Sequence, residues 1–500
     1  MRNRVTGPTS FQIEDNGINV IPEDQRHGTP RSLFWPWATS CISLFNVSIA
    51  GLLLVFGLGF VQAAIAAVLG TCVSFILVGQ VSLAGKRASA PTMVISRAAF
   101  GIRGNTVPTL ISYLTLVGWE IFLLVTTVLA TTTVFDRLGW RDGTLMRVLV
   151  FISVIAIVIV TGVFGFRLVT RFQGVVTVAS LVLVIAYIAM TIDNVSWTAL
   201  TASNDISASG FIGAAVVAMA AFGIGWTNSA ADYSRYLPRN SSGRAIVGWT
   251  TFAGTLVPSI LVVYGLMLIT SNPALTGELS SNPVGALISL LPTSYLILVP
   301  FLVLFALGMT GAGAMDLYSS GLTLLTLGLR VPRAVAAGLD GVIMTFGGFY
   351  LLVFAGSFFG PFEGFLILLG VPLAAWVGVF LADAKIRRVD YVGADLYDAG
   401  GRYGSVGWPA LTSMIAATLV GWGLVVSSAD APLLNWQGYL FEALGVTSDS
   451  AWIESNIGVL VALLVGFGGA WIFGRQRIRR QEALAPQHVR EVDSLVRHGL

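Results

Sequence analysis

The sequence predicts an all-α polytopic membrane protein with 12 transmembrane helices, and three observations predict it. Of the 500 residues, 55% are hydrophobic and only 11% are charged, whereas an ordinary soluble domain carries about 25% charged residues. Apolar stretches recur along the chain, each long enough for the roughly 20 residues that a helix needs to cross the hydrocarbon core. Basic residues collect in alternate loops, the pattern that sets orientation in a membrane. Within hydrocarbon each segment has to satisfy its own backbone hydrogen bonds, so every crossing is expected to be helical.

In order, the expected spans are 33–57, 60–83, 105–133, 147–165, 172–192, 209–230, 245–270, 293–325, 333–353, 359–382, 405–427 and 453–474. Several exceed 20 residues, which implies tilted or broken helices. Lys86, Arg87, Arg97 and Arg103 follow span 2, and Arg167 and Arg171 follow span 4. Arg235, Arg239 and Arg244 follow span 6, Arg330 and Arg333 follow span 8, and Lys385, Arg387, Arg388 and Arg402 follow span 10. Arg475, Arg477, Arg479 and Arg480 follow span 12. The opposite loops at 193–208, 271–292 and 428–452 hold no Lys or Arg; only 134–147, with Arg137, Arg141 and Arg147, departs from the pattern. Twelve spans place all the basic loops on one side, so both termini are expected to be cytoplasmic in a plasma-membrane protein.

Residues 1–30 read as a cytoplasmic N-terminal tail and 475–500 as a C-terminal one. The N-terminal stretch is polar with no short apolar h-region, so no cleavable signal peptide is expected. The 428–452 loop, with Trp436, Tyr439 and Phe441, reads as a short interfacial element. Cys41 and Cys72 both fall in spans, indicating neither a disulfide framework nor a zinc site. The three histidines, His27, His488 and His498, lie in the tails, so a proton carried through the membrane would need a carboxylate.

An ionisable side chain at mid-membrane costs about 2.5–3.5 kcal/mol on insertion scales, and usually serves a function. Four carboxylates fall within spans: Glu120, Asp316, Asp340 and Glu363. Glu363 sits near a span end, where water reaches it. Asp340, in "AGLDGVIM", reads equally well as a helix-packing hydrogen bond. Asp316 follows the small residues of "TGAGAM", which either let helices pack closely or leave room for a ligand. Glu120 follows Trp119, and helix neighbours point about 100° apart. If Trp119 faces a central cavity, Glu120 lies on its flank, where it could meet a ligand edge, carry a proton or pair with another helix. In "AFGIGWTNSAADYSRYLP", Phe222 and Trp226 share one helix face. Gly223 and Gly225 between them would permit local unwinding, which is tolerated at depth where backbone lines a cavity. Asp232 is expected to pair with a nearby Arg.

"SRAAFGIRGNTVP" before span 3, "GWE" within it, "GWTNSAADYSRYLP" closing span 6 and "MDLYSSGL" in span 8 occur in this order. Together they resemble the nucleobase:cation symporter-1 family, and within it the cytosine/purine permease branch. The resemblance covers roughly residues 30–475. It implies a LeuT-type 5+5 inverted repeat, at about 31–193 and 209–383, plus two C-terminal helices within 384–474. It also implies a substrate near the midplane, between broken spans 1 and 6 and spans 3 and 8. The family's span 3 tryptophan matches Trp119, which would stack on a planar base; its span 6 aromatic matches Phe222 or Trp226. Its polar span 8 residue matches Asp316, where several relatives carry Asn. "SLFN" falls at the family's unwound point, making Ser43 and Asn46 candidates.

Two departures from the family pattern bear on specificity. Sodium-coupled relatives carry two hydroxyl residues in span 8, where this chain has Thr310 and Gly311. One hydroxyl is missing, which favours H+ over Na+ coupling, with Asp316 and Glu120 as the candidate carriers. Leu123 stands where some relatives have an amide, so edge recognition of the substrate is expected elsewhere, Glu120 included. The resemblance thus implies a secondary active transporter that imports a cytosine- or purine-class heterocycle with H+ or Na+, needing no cofactor. Allantoin, a hydantoin or a pyrimidine vitamin precursor are alternative substrates. The implied partners are that small molecule and membrane lipid, with no nucleic acid. An enzyme or channel is a distant alternative: the spans contain no HExxH, paired cysteines or phosphate loop, and no repeated polar rings.

Overall fold

The computed structural model describes residues 16–140, 144–164, 166–202, 207–329, 331–427, 435–447 and 450–484. All twelve expected spans coincide with helix, and the described residues contain no β-strand. Among the described residues seven continuous helices are long and apolar enough to cross a membrane, and counting each of two bent pairs as one span brings the number to nine.

Span 2, Phe60–Ala88, shows how the sequence directs packing. Val61, Ile65, Leu69, Val73 and Ile76 recur every three or four residues and stay exposed as an apolar stripe suited to lipid. Its opposite face is built from small residues: Ala63, Ala66, Ala67, Gly70 and Ser74 are buried. A Cβ on Gly70 would sit 2.2 Å from the Ala215 carbonyl oxygen of span 6. With no hydrophobic effect to drive helices together in lipid, such small faces and the close backbone approach they permit hold the bundle.

Helix neighbours fall into two groups. Span 7, Gly243–Ser271, packs on spans 1, 2 and 6, while span 8, Tyr295–Thr326, packs on spans 3, 4, 5 and 9. Span 10, Phe359–Ile386, contacts span 3 and carries spans 11 and 12. Span 1 is broken: Pro30–Cys41 and the segment Phe45–Leu54 meet at a 65° bend. Span 6 runs from Ala208 to Met219, passes through a π-helical turn at Ala220–Ile224 and ends its α-helix at Thr227 before resuming at Ala230–Ser234.

The expected glycine-driven unwinding in span 6 is not what forms. Gly223 and Gly225 stay helical because they are packing positions. A Cβ at Gly223 would lie 2.2 Å from Ser74 Oγ, and one at Gly225 would lie 2.7 Å from Trp119 Nε1. The extra residue is absorbed as a π turn, a form common at functional sites.

The polar connections hold more structure than their composition suggests. Thr92–Phe100, carrying all of "SRAAF", is a helix buried along its whole length. Asp232 feels the charge of Arg235, as expected, but makes no ion pair with it among the described residues. Its Oδ1 accepts from the Thr92 backbone N–H at 2.8 Å and from Thr92 Oγ1 at 2.9 Å, joining span 6 to the start of that helix. Residues 16–30 of the N-terminal tail are docked rather than free. Ile21 is buried and donates its N–H to the Ser89 carbonyl at 2.8 Å, and Arg26 Nε donates to the Leu237 carbonyl at 2.9 Å. After span 12 the chain bends by 53° into the helix Arg475–Ala483, and Arg477 Nη1 donates to the Ala98 carbonyl at 3.0 Å.

Gly265 of span 7 tests the packing account. A Cβ there would lie 2.0 Å from the Val47 carbonyl oxygen, beside the bend of span 1, while Gly248 faces open space. Gly265→Ala is expected to lower the thermal midpoint in detergent, at an overpacking cost of about 1–3 kcal/mol, and Gly248→Ala to leave it unchanged.

Candidate functional site

The two breaks converge. Ile42, at φ −89° and ψ 84°, ends the first half of span 1, leaving Ser43 outside regular helix. Carbonyls freed by such a break need donors. Asn46 Nδ2 supplies one, donating to the Cys41 carbonyl at 2.5 Å, and Ser43 Oγ caps the Phe45 N–H at 3.2 Å. Between this bend, the π turn of span 6 and the middles of spans 3 and 8 lies a cavity. Ser43, Asn46, Trp119, Phe222, Trp226 and Asp316 all line it, with Cys41, Leu123 and Met309. Its volume is about 40 Å³, close to the roughly 30 Å³ that one water occupies in the liquid. A heterocycle therefore enters only if the walls part.

The aromatic groups are held from behind. Trp119 meets the edges of Phe362 and Phe365 at centroid distances of 5.4 and 6.0 Å, and Gly225 leaves room for its indole. Trp226 is held edge-on by Trp37 at 5.9 Å. No ring contact joins Trp119 to Phe222 or Trp226 among the described residues, so the two aromatic walls stand apart.

Asp316 projects from span 8, 2% exposed. Among the described residues its carboxylate makes no hydrogen bond and no ion pair. Among the described residues this is the one acid lining the cavity, and no Lys or Arg lines it.

Glu120 does not reach the cavity, so the expected contact with a substrate edge is not made. Helical register turns it away from Trp119 toward spans 8 and 9, where Ser320 Oγ lies 2.8 Å from its Oε1. The side chain of Thr310 lies outside the described residues. At Gly311, a Cβ would sit 2.9 Å from Val176 Cγ1 and 3.4 Å from the Thr39 methyl. The space beside Gly311 is thus filled by apolar atoms.

A larger hollow of about 470 Å³ lies between spans 3, 4 and 9, lined by Thr132, Thr133, Phe151 and Phe349 among others. It contains none of the candidate residues and no helix break, so we assign the site to the smaller cavity.

Over residues 20–443 the chain matches the model of a family described as permease for cytosine/purines, uracil, thiamine and allantoin. The chain belongs to this family. The permease is 25% identical over 480 residues to a Bacillus subtilis (strain 168) protein named as a purine-cytosine permease, covering 93% of its own length and 94% of the relative's. Its fold resembles that of Mhp1, a nucleobase-cation-symport-1 family transporter, in a closed conformation with bromovinylhydantoin bound. There the TM-score is 0.71 at 20% identity, covering 95% of the permease and 100% of Mhp1. Against inward-facing Mhp1 the TM-score is 0.63 at 18% identity, covering 95% and 98%. A Na+-coupled sialic acid symporter shares the fold at a TM-score of 0.58 and 13% identity, covering 92% of each chain. The permease is accordingly an all-helical, multi-pass membrane transporter with a LeuT-like fold.

Both flanks of the cavity are closed, and sequence reasoning had not singled out the residues that close them. On one side, Phe362 packs on Phe45 at 5.5 Å and on Phe122 at 5.0 Å, with Phe358 behind them. The spacing of Phe358, Phe362 and Phe365 puts all three on one helix face, a signal that was available. On the other side, Trp37 packs on Tyr233 at 5.4 Å, and the Tyr233 hydroxyl donates to the Met315 carbonyl at 2.9 Å. Arg235 ties this side to Tyr318 Oη and to the Gly17 carbonyl, each at 2.8 Å.

If Trp119 is positioned by the space that Gly225 leaves, Gly225→Ala should impair transport without blocking insertion. Uptake of the best substrate is expected to fall at least about tenfold, since a misplacement near 1 Å can cost far more than that in other sites. Surface expression should match that of Gly174→Ala, where a Cβ meets nothing.

Proposed function

We propose that the permease imports a nucleobase or close heterocyclic relative of the cytosine/purine class across the plasma membrane, in symport with a proton. The single observation that carries this reading is the unpaired Asp316 carboxylate facing a small buried cavity between two aromatic walls. Leaving a buried charge unpaired costs several kcal/mol. A ligand with ring N–H or exocyclic amine donors removes that cost, while its faces stack on the aromatics. Stacking contributes about 1–3 kcal/mol per base in other settings, and a hydrogen bond to a charged group about 1.5–3 kcal/mol. Ser43 and Asn46 are the further polar contacts at the bend. Trp119 forms one wall, and Phe222 with Trp226 the other.

In this reading residues 31–383 are the transport core, with halves at about 31–193 and 209–383, and 384–474 supply two more crossings. Both termini are cytoplasmic, as the loop charges favour. Spans 1, 2, 6 and 7 then rock against spans 3, 4, 8 and 9, opening the aromatic closure around Phe362 to the outside and that around Trp37 and Tyr233 to the inside. Apolar filling at Gly311 supports the proton over sodium.

The test is accumulation of radiolabelled cytosine, adenine, hypoxanthine, uracil and allantoin in proteoliposomes. A symporter concentrates its substrate, a channel only equilibrates it, and an enzyme converts it. Uptake is expected to persist without sodium and to collapse with a protonophore; strict sodium dependence would contradict the ion assignment. Asp316→Ala is expected to reduce uptake by roughly 10- to 150-fold, the equivalent of losing a charged hydrogen bond, with normal insertion. Near-normal uptake would remove Asp316 from the site. A hydantoin, allantoin or vitamin precursor winning the competition would move the substrate within the family's range.

A further inference from the structure

A second polar cluster lies behind the cavity and takes no part in its lining. Glu120 of span 3, Ser320 of span 8 and Asp340 of span 9 meet with exposures of 1%, 0% and 0%. Ser320 Oγ is 2.8 Å from Glu120 Oε1 and in hydrogen-bond contact with Asp340 Oδ2. The hydrogens do not suffice for two ionised acids. A serine hydroxyl has one hydrogen to donate, so it can serve one carboxylate. The other oxygen pair is attractive only if that carboxyl carries a proton and donates it to Ser320. Glu120 Oε2 is buried with no hydrogen-bond partner among the described residues, and Asp340 also faces the Tyr113 hydroxyl, which can donate to it but does not supply the hydrogen missing at Ser320. The other titratable groups facing the cluster are Tyr113 from span 3 and Asp316 from span 8. Among the described residues no Lys or Arg acts on any of the three acids. Two bare carboxylates bridged by one hydroxyl in a low-dielectric interior would repel each other strongly.

We propose that Glu120, Ser320 and Asp340 form a shared-proton carboxyl pair that loads and releases the coupling ion, separate from Asp316 at the substrate. The inference rests on the reading of the cavity as the substrate site. Two covalent links join the pair to that cavity: Glu120 directly follows Trp119, and Ser320 lies one helical turn beyond Asp316. All three members belong to spans packed around span 8, so the pair stays intact while spans 1 and 6 move. Losing the proton leaves two negative charges close to Asp316 and disfavours its own anionic, substrate-binding form. Proton and substrate therefore strengthen each other's binding, and linkage requires this to be reciprocal.

Two measurements test the proposal, on full-length protein. The first needs no substrate. Infrared spectra of the purified wild type at neutral pH are expected to show a protonated-carboxyl stretch that Glu120→Gln or Asp340→Asn removes or shifts. A band unchanged in both variants would overturn the proposal whatever the substrate proves to be. The second uses proteoliposomes with a trapped pH dye and whichever of cytosine, adenine, hypoxanthine, uracil or allantoin the wild type carries best. With one proton per substrate, accumulation should reach roughly tenfold for each pH unit of gradient. Asp340→Asn, nearly isosteric, is expected to lose this accumulation and the accompanying proton influx while still exchanging labelled for unlabelled substrate. Glu120→Gln gives the same split if Asp340→Asn fails to fold. Accumulation and proton influx at wild-type level in a folded variant would contradict the pair's role. Failure of every heterocycle to bind, with the infrared band present, would overturn the substrate reading alone.

Discussion

An ionised acid in a dry interior is stable only if something neutralises it, and the fold around Asp316 leaves that work to a partner outside the chain. The contrast with the other buried charges makes this specific. Arg97 donates to the carbonyls of Leu396 and Thr326, and Arg387 pairs with Asp383 at 2.9 Å. Asp232 accepts two hydrogen bonds from Thr92. Each of these is satisfied within the chain, and Arg97, Asp232 and Arg387, the last through Gln481 at 2.8 Å, also tie segments distant in sequence together. Asp316, on the wall where the broken helices meet, has no such contact.

The breaks follow from the same constraint. Backbone leaves helical geometry inside a membrane only where other groups satisfy it. At Cys41 the side chain of Asn46 does so, and in span 6 a π turn keeps the ladder closed. The result is a small recess flanked on both sides by interlocked aromatics. Rings packed edge to face can separate and reseal as units, which suits a site that must open to one side at a time. The docked N-terminal residues, reaching Arg235 through the Gly17 carbonyl, make the closure on the Trp37 side a joint product of the tail and span 6.

How far this was readable from residues alone depended on distance along the chain. The helices were legible because apolar length is a local property. Asp316 was legible because an acid in an apolar helix is costly without any partner being known, whereas Trp119, Phe222 and Trp226 gained a site role only through the family resemblance, since rings in apolar helices are more often packing. Ser43 and Asn46 came from the family resemblance, and the structure brings them to the same cavity. Glu120 was ambiguous for a definite reason: a 100° offset from Trp119 leaves several directions open, and only the packing of spans 8 and 9 selects one. Gly223 and Gly225 read as points of weakness, yet Ser74 and Trp119 fill the space beside them. The helix Thr92–Phe100 and the docking of residues 16–30 were hidden because their stability comes from segments far away in sequence.

The central claim is that a planar heterocycle occupies the recess between the two aromatic walls with a donor edge on Asp316. A cryo-EM structure of the permease with its best-transported heterocycle tests it most directly. The account predicts ring density stacked against Trp119, facing Phe222 and Trp226, with a nitrogen at hydrogen-bond distance from an Asp316 oxygen. Density in the larger hollow beside Thr132 and Phe349, or a ring in the recess turned away from Asp316, would contradict it.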